Sequence, residues 1–207
     1  PVIRVSSQRR PVPASLKTAE SAAEDVVGLG EHGKRSGVVR KARELKRNAD
    51  GAATRALRSA GVSPQELAVF RARASRVAEL APNAPFVDVS LAANHVSQLM
   101  PGFYARFSDP VPPSVLRLDY LDREAQLRSV AGQPLPVKAA VKDLDSTWTR
   151  LRPKVVESGG GKVARQYDRH VGAMKRLAVS TDDKELQQEA VHGLDLVDLL
   201  EGIFLKK

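Results

Sequence analysis

Residues 136–156 read PVKAAVKDLDSTWTRLRPKVV, and this run decides the fold. Val137, Val141, Leu144, Trp148, Leu151 and Val155 recur at alternating steps of four and three. At a helical turn of about 100° per residue, that spacing puts all six on one stripe and the charged residues on the other side. A strand would alternate every second residue, and no segment of the chain does so over five or more residues. So narrow a stripe is marginal alone in water, so neighbouring helices must bury it.

The same pattern extends in both directions. Downstream, Ser158-Gly-Gly-Gly161 breaks the chain. Helices are then expected over 162–179 (Val163, Tyr167, Val171, Met174, Ala178) and 182–205 (Leu186, Ala190, Gly193, Val197, Leu200, Phe204). Upstream, 114–131 reads as a helix stopped by Gly132, and Asp109-Pro-Val-Pro-Pro113 reads as a linker. Further back, Phe86, Val89, Ala93, Val96, Met100, Phe103 and Phe107 keep heptad spacing, with Pro101 expected to kink or end that helix near Met100. Ser63-Pro-Gln-Glu66 carries an N-cap serine, a proline at the first helical position and the glutamate of a capping box. The stripe Leu67, Phe70, Ala74, Val77 and Ala81 follows it. A single helix is expected over 36–59, on Val38, Ala42, Leu45, Ala49, Ala52 and Ala56, and a short one over 18–29.

These segments predict an all-α antiparallel bundle of six or seven helices. It divides into a tail at 1–16, extended or disordered, a helical half at 17–108 and a second at 114–207, or runs as one continuous domain. The chain contains no cysteine, which excludes disulfides, thiolate metal sites and cysteine nucleophiles. It contains no apolar run long enough to span a membrane. It begins at Pro1 without an initiator methionine, as expected of a trimmed product. The net charge of +9 is uneven: residues 1–58 hold +7 of it and residues 59–207 only +2.

Three phrases carry a resemblance. Leu118-Asp-Tyr-Leu-Asp-Arg-Glu124, Trp148-Thr-Arg-Leu-Arg-Pro153 and the run from Gly193 to Phe204 resemble uncharacterised bacterial exported helical-bundle proteins, over roughly residues 90–207. The resemblance implies a helical fold and an exported, periplasmic address. It carries over no functional residue.

Motifs of known chemistry are few. Gly28-Leu-Gly-Glu-His-Gly33-Lys34 has the spacing of a phosphate loop. Arg35 stands where the metal-holding hydroxyl belongs, and no parallel sheet surrounds it, so a flexible break between helices is expected. Ser158–Lys162 is read as a turn. Asp119 with Asp122, and Asp195 with Asp198, read as solvated helix surface. His32, His95, His170 and His192 fall in four separate segments. Glu189-Ala-Val-His192, with Glu185 one turn earlier, matches one quarter of a carboxylate-bridged metal site, and the second Glu-x-x-His pair is missing. The three flank their apolar stripe rather than joining it.

The strongest surface feature is the basic stretch 34–58, net +7, with Lys34, Arg35, Arg40, Lys41, Arg43, Lys46 and Arg47 at its centre. Such an array suits phosphates or another polyanion. Phe103, Tyr104 and Phe107 are expected in the core, with a partner-binding patch as the alternative. The expectation is a non-catalytic binding or scaffolding protein without a cofactor, meeting a protein partner or its own copy. Polyanion binding through 34–58 is the first alternative. A metal or haem site at Glu185, Glu189 and His192 is the second.

Overall fold

The computed structural model describes residues 10–180 and 182–206. The first half of the chain folds as α1 (Ala14–Glu31), α2 (Arg35–Asp50), α3 (Ala52–Ser59), α4 (Pro64–Leu80), α5 (Phe86–Ser97) and α6 (Met100–Tyr104). The second folds as α7 (Pro113–Val130), α8 (Pro134–Glu157), α9 (Gly161–Leu177) and α10 (Asp183–Leu205). No strand occurs among the described residues; Pro11 and Ser108 share one isolated bridge. No described helix is long and apolar enough to cross a membrane.

The all-α expectation holds, but the helix number is corrected to ten segments. Two expected helices are broken rods. Gly51, at φ −117° and ψ −110°, interrupts the run expected over 36–59, and the Thr54 hydroxyl takes the Ala49 carbonyl across the break. Pro101 interrupts the run expected over 86–107. Its ring excludes the carbonyl four residues back, and α5 stops at that residue, Ser97. By contrast α8 runs through Pro153. At the N-terminus, α1 starts before Thr18 and ends after Leu29, so Gly28 and Gly30 are helical and the expected glycine-rich break shrinks to residues 32–34. Of the expected tail, residues 1–9 lie outside the described residues, 10–13 are non-helical and pinned by Ser108 N–H donating to the Arg10 carbonyl at 2.8 Å, and 14–16 belong to α1.

Helix ends follow local rules. The capping box at Ser63 forms in full, with Glu66 N–H on Ser63 Oγ and Ser63 N–H on Glu66 Oε2. Gly132, after α7, adopts φ +66°, and the 132 and 133 amides bond back to Ser129 and Arg128 carbonyls. A side chain there would be strained, which is why glycine stops α7.

Packing then joins the helices into two rings. In the first, α1 packs on α2 and α5, and α4 closes the ring between those two. In the second, α7, α8, α9 and α10 pack in sequence, and α10 returns to α7. Each ring has its own apolar core. In the first, Phe70 meets Phe103 edge to face, with ring centroids 5.4 Å apart. Phe103, Tyr104 and Phe107 are buried there and form no exposed patch.

The rings meet along α7. Val115, Leu118, Leu121 and Ala125 enter the second core, while Leu127 enters the first and Leu116 packs against it. Because α7 belongs to both cores, we expect Leu118→Ala to cost about 3 kcal/mol and to weaken the whole chain. Urea unfolding followed by Trp148 fluorescence, which reports the second ring, should coincide with unfolding followed by circular dichroism. Two separated transitions would show that the rings unfold independently.

Candidate functional site

Two groups of titratable side chains come together from helices that share no single sequence motif. The first is inside the second ring. Asp122 of α7 and His170 of α9 have fully buried side chains. His170 Nε2 lies 2.9 Å from Asp122 Oδ1, and His170 Nδ1 lies 2.8 Å from Glu189 Oε1 of α10. Tyr167 Oη donates to Asp122 Oδ2 at 2.7 Å. Each nitrogen of the His170 ring thus faces a carboxyl group. Burial by itself would lower the His170 pKa; the bonds to Asp122 and Glu189 outweigh it and raise it. Burial first, and then the Asp122 charge, pushes the Tyr167 hydroxyl well above its ordinary value.

Gly193 makes this arrangement possible. A Cβ at that position would sit 2.5 Å from His170 Nε2 and 2.6 Å from Asp122 Oδ2. A shallow hollow of about 280 Å³ lies over the network, with Arg169, Arg176 and His192 on its walls.

The second group lines a cleft of about 290 Å³ on the seam between the rings. Glu20 and Glu24 come from α1, Asp119 and Arg123 from α7, and Asp195, Asp198 and Glu201 from α10. Arg123 is the only cation on its walls, and it is bound to Asp119 at 2.8 and 3.2 Å. The Tyr104 hydroxyl donates to Glu20. Burial chiefly raises Glu20 to about 7, against the Tyr104 hydrogen bond and with the Asp119 charge. Burial and then Asp119 raise Glu24 to about 8, with Arg123 opposing. Asp119 and Glu201 are raised as well, again mainly by burial.

The sequence candidates are placed as follows. Of the basic residues, Arg35 donates to the Ala81 carbonyl and stacks over Phe86, Lys41 pairs with Asp25 and Glu44, and Lys46 pairs with Asp50. Lys34, Arg40, Arg43 and Arg47 are exposed, and none of these four side chains has a partner among the described residues. Glu185 and His192 are exposed, and Glu189 faces His170 from the neighbouring helix. Among the described residues, no group of three or more His, Asp or Glu side chains is placed to hold a metal ion. Asp122 is a correction: it is buried rather than solvated, because it falls on the α7 stripe between Leu118 and Ala125. Asp195 and Asp198 are exposed and face the seam cleft.

Comparison with family models, with curated proteins and with solved structures finds no match.

Two outcomes are expected. Gly193→Ala should cost about 3 kcal/mol or more, because it forces apart a buried charge network with no room to yield. A denaturation midpoint within error of the wild type would refute the close approach. The seam sets a pH dependence. Glu20 and Glu24 ionise in the unfolded chain near 4.5 but in the folded chain near 7 and 8, so stability falls as pH rises across that window. His170, raised above 6.5, adds a loss of the same sign as pH climbs through its folded value. Glu24 keeps 42% of its side chain exposed, so solvent weakens its share and Glu20 carries more. The melting temperature should be higher at pH 5.5 than at pH 8.5, and Glu20→Gln with Glu24→Gln should shrink the difference. Equal melting temperatures in the wild type would discard the seam argument.

Proposed function

We propose that this chain is a non-catalytic binding protein that engages a polyanionic partner through α2. The carrying observation is the row Arg40, Arg43 and Arg47, which is exposed and unpaired. Steps of three and four set these side chains on one flank of the helix. Lys34, just before α2, and the equally exposed Arg58 of α3 add to the charge. Arg35, Lys41 and Lys46 are engaged within the fold and help to hold the flank in place rather than to bind.

Unpaired arginines remain available to phosphate or sulfate groups, and each such contact releases a counterion and strengthens at low salt. No aromatic side chain lies in residues 30–69, so the flank lacks a platform for base stacking. Binding through charge and spacing rather than base reading is the consistent mode. A binding role also fits the interior. Both nitrogens of His170 are engaged by carboxylates, and Asp122 is saturated by His170 and Tyr167. That leaves the network no free base with which to take a proton from a substrate.

Heparin chromatography tests the reading. The wild-type chain should be retained and should elute only at raised salt. Replacing Arg40, Arg43 and Arg47 together by Gln should lower the elution salt markedly. It should also reduce the slope of log affinity against log salt by about 2 to 3. A wild-type chain that washes through at low salt, or a triple variant retained as strongly, would remove the proposal.

A further inference from the structure

A third cavity is lined by neither the α2 row nor the titratable groups described above. It measures about 780 Å³, within the range of small-molecule sites. Its walls come from the extended segment before α1, from α3 and from the residues just after α6. Three arginines stand on its rim, Arg10, Arg55 and Arg106, all exposed. None forms an ion pair among the described residues, and no acidic residue lines the cavity. The floor is apolar: Val12 and Phe107 are buried, and Ala56 is half-buried.

The frame is fixed before any ligand arrives. Pro11 and Pro13 restrict the segment, and Ser108 N–H donates to the Arg10 carbonyl at 2.8 Å. α1 begins at the cavity, at Ala14, without a side-chain cap, so the positive end of its dipole adds to the arginines. Arg106 feels the Glu66 charge from outside the cavity, but none of the three guanidinium groups has an ion-pair partner within it, and an apolar floor beneath them suits a molecule that is greasy at one end and anionic at the other. A plain anion would leave the floor wet, and a neutral lipid would leave the arginines unanswered.

We infer that this cavity binds a single-chain amphiphile with a carboxylate or phosphate head. The head meets Arg10, Arg55 and Arg106, and the tail covers Val12, Ala56 and Phe107. The site is separate from the α2 row and stands on different residues.

Calorimetric titration of the full chain, below the micelle concentration of each probe, tests it. Dodecanoate and dodecyl phosphate should each bind at one per chain, and their relative affinities tell which head is preferred. Octanoate should bind at least tenfold more weakly than dodecanoate, since each buried methylene is worth roughly a fourfold factor. Acetate and dodecyltrimethylammonium should show no saturable binding. Arg55→Gln and Arg106→Gln should each weaken dodecanoate about tenfold while leaving the helical spectrum unchanged. Ala56→Glu, which places a carboxylate in the cavity, should abolish binding. Dodecyltrimethylammonium binding as tightly as dodecanoate, arginine variants without effect, or no saturable dodecanoate binding would each overturn the inference. The variant with Arg40, Arg43 and Arg47 changed to Gln should keep dodecanoate affinity within twofold. Failure on heparin and failure with dodecanoate are therefore separate results.

Discussion

The architecture depends on the burial of α7 from two sides. A helix on the edge of one bundle needs a single apolar stripe. α7 needs two, and it has them: Leu118 and Leu121 face one core while Leu127 faces the other. Little of its circumference is left for solvent, so its polar residues must be satisfied from within. Glu124 accepts from Arg128 Nε at 2.7 Å and from Asn94 Nδ2 of α5 at 2.9 Å. Burial would raise its pKa, but these bonds, with His95 nearby, hold it down at about 2. Asn94 also donates to the Tyr120 carbonyl, so one α5 side chain ties into two places on α7. The junction is less complete than either core. Asn94 Oδ1 and Gln126 Oε1 are buried there without a hydrogen-bond partner. The two rings are therefore coupled through a polar joint rather than fused into one oily interior.

The same helix explains why acidic groups gather on the seam. Once α7 turns apolar residues toward both cores, Asp119 and Arg123 are left to face the gap between α1 and α10. Among the described residues, those helices bring five carboxyl groups to a gap with one arginine. Burial raises the pKa of four groups on this gap, Glu20, Glu24, Asp119 and Glu201. Basic residues that could have compensated lie elsewhere, on α2.

Much of the fold was legible in sequence because apolar spacing and turn chemistry are local. All six stripe residues expected on the last helix are buried, and the Ser63 capping box forms. The failures are equally local in cause. Heptad spacing continued through Pro101, but the proline's missing donor broke the rod, and Phe107 is buried although it lies outside any helix. Alanine spacing continued through Gly51 while the backbone did not. The titratable groups were less legible, because which helices adjoin, and in what register, is not written in one helix. Glu189 was paired with His192 by sequence spacing, yet it turns to His170 on the neighbouring helix. Two signals were present. Asp122 sits in an apolar row, and Gly193 occupies a stripe position that alanine would normally fill. A carboxylate and a missing side chain at core positions mark a close polar approach.

The contrast between interior and surface bears on what such a molecule can do. Catalysis needs a titratable group with a free lone pair or proton facing open space. Inside the second ring the titratable groups bond one another, Asp122 with Tyr167 and His170, and His170 with Glu189, while Glu20 and Glu24 line the open seam cleft. Arg40, Arg43 and Arg47 on α2 are exposed guanidinium ions, which neither give nor take protons near neutrality. On α2 they form a row along one flank of the helix. Around the cavity beside α3, Arg10, Arg55 and Arg106 stand over an apolar floor. The shape beneath the arginines, more than their number, sets which kind of anion each surface can hold.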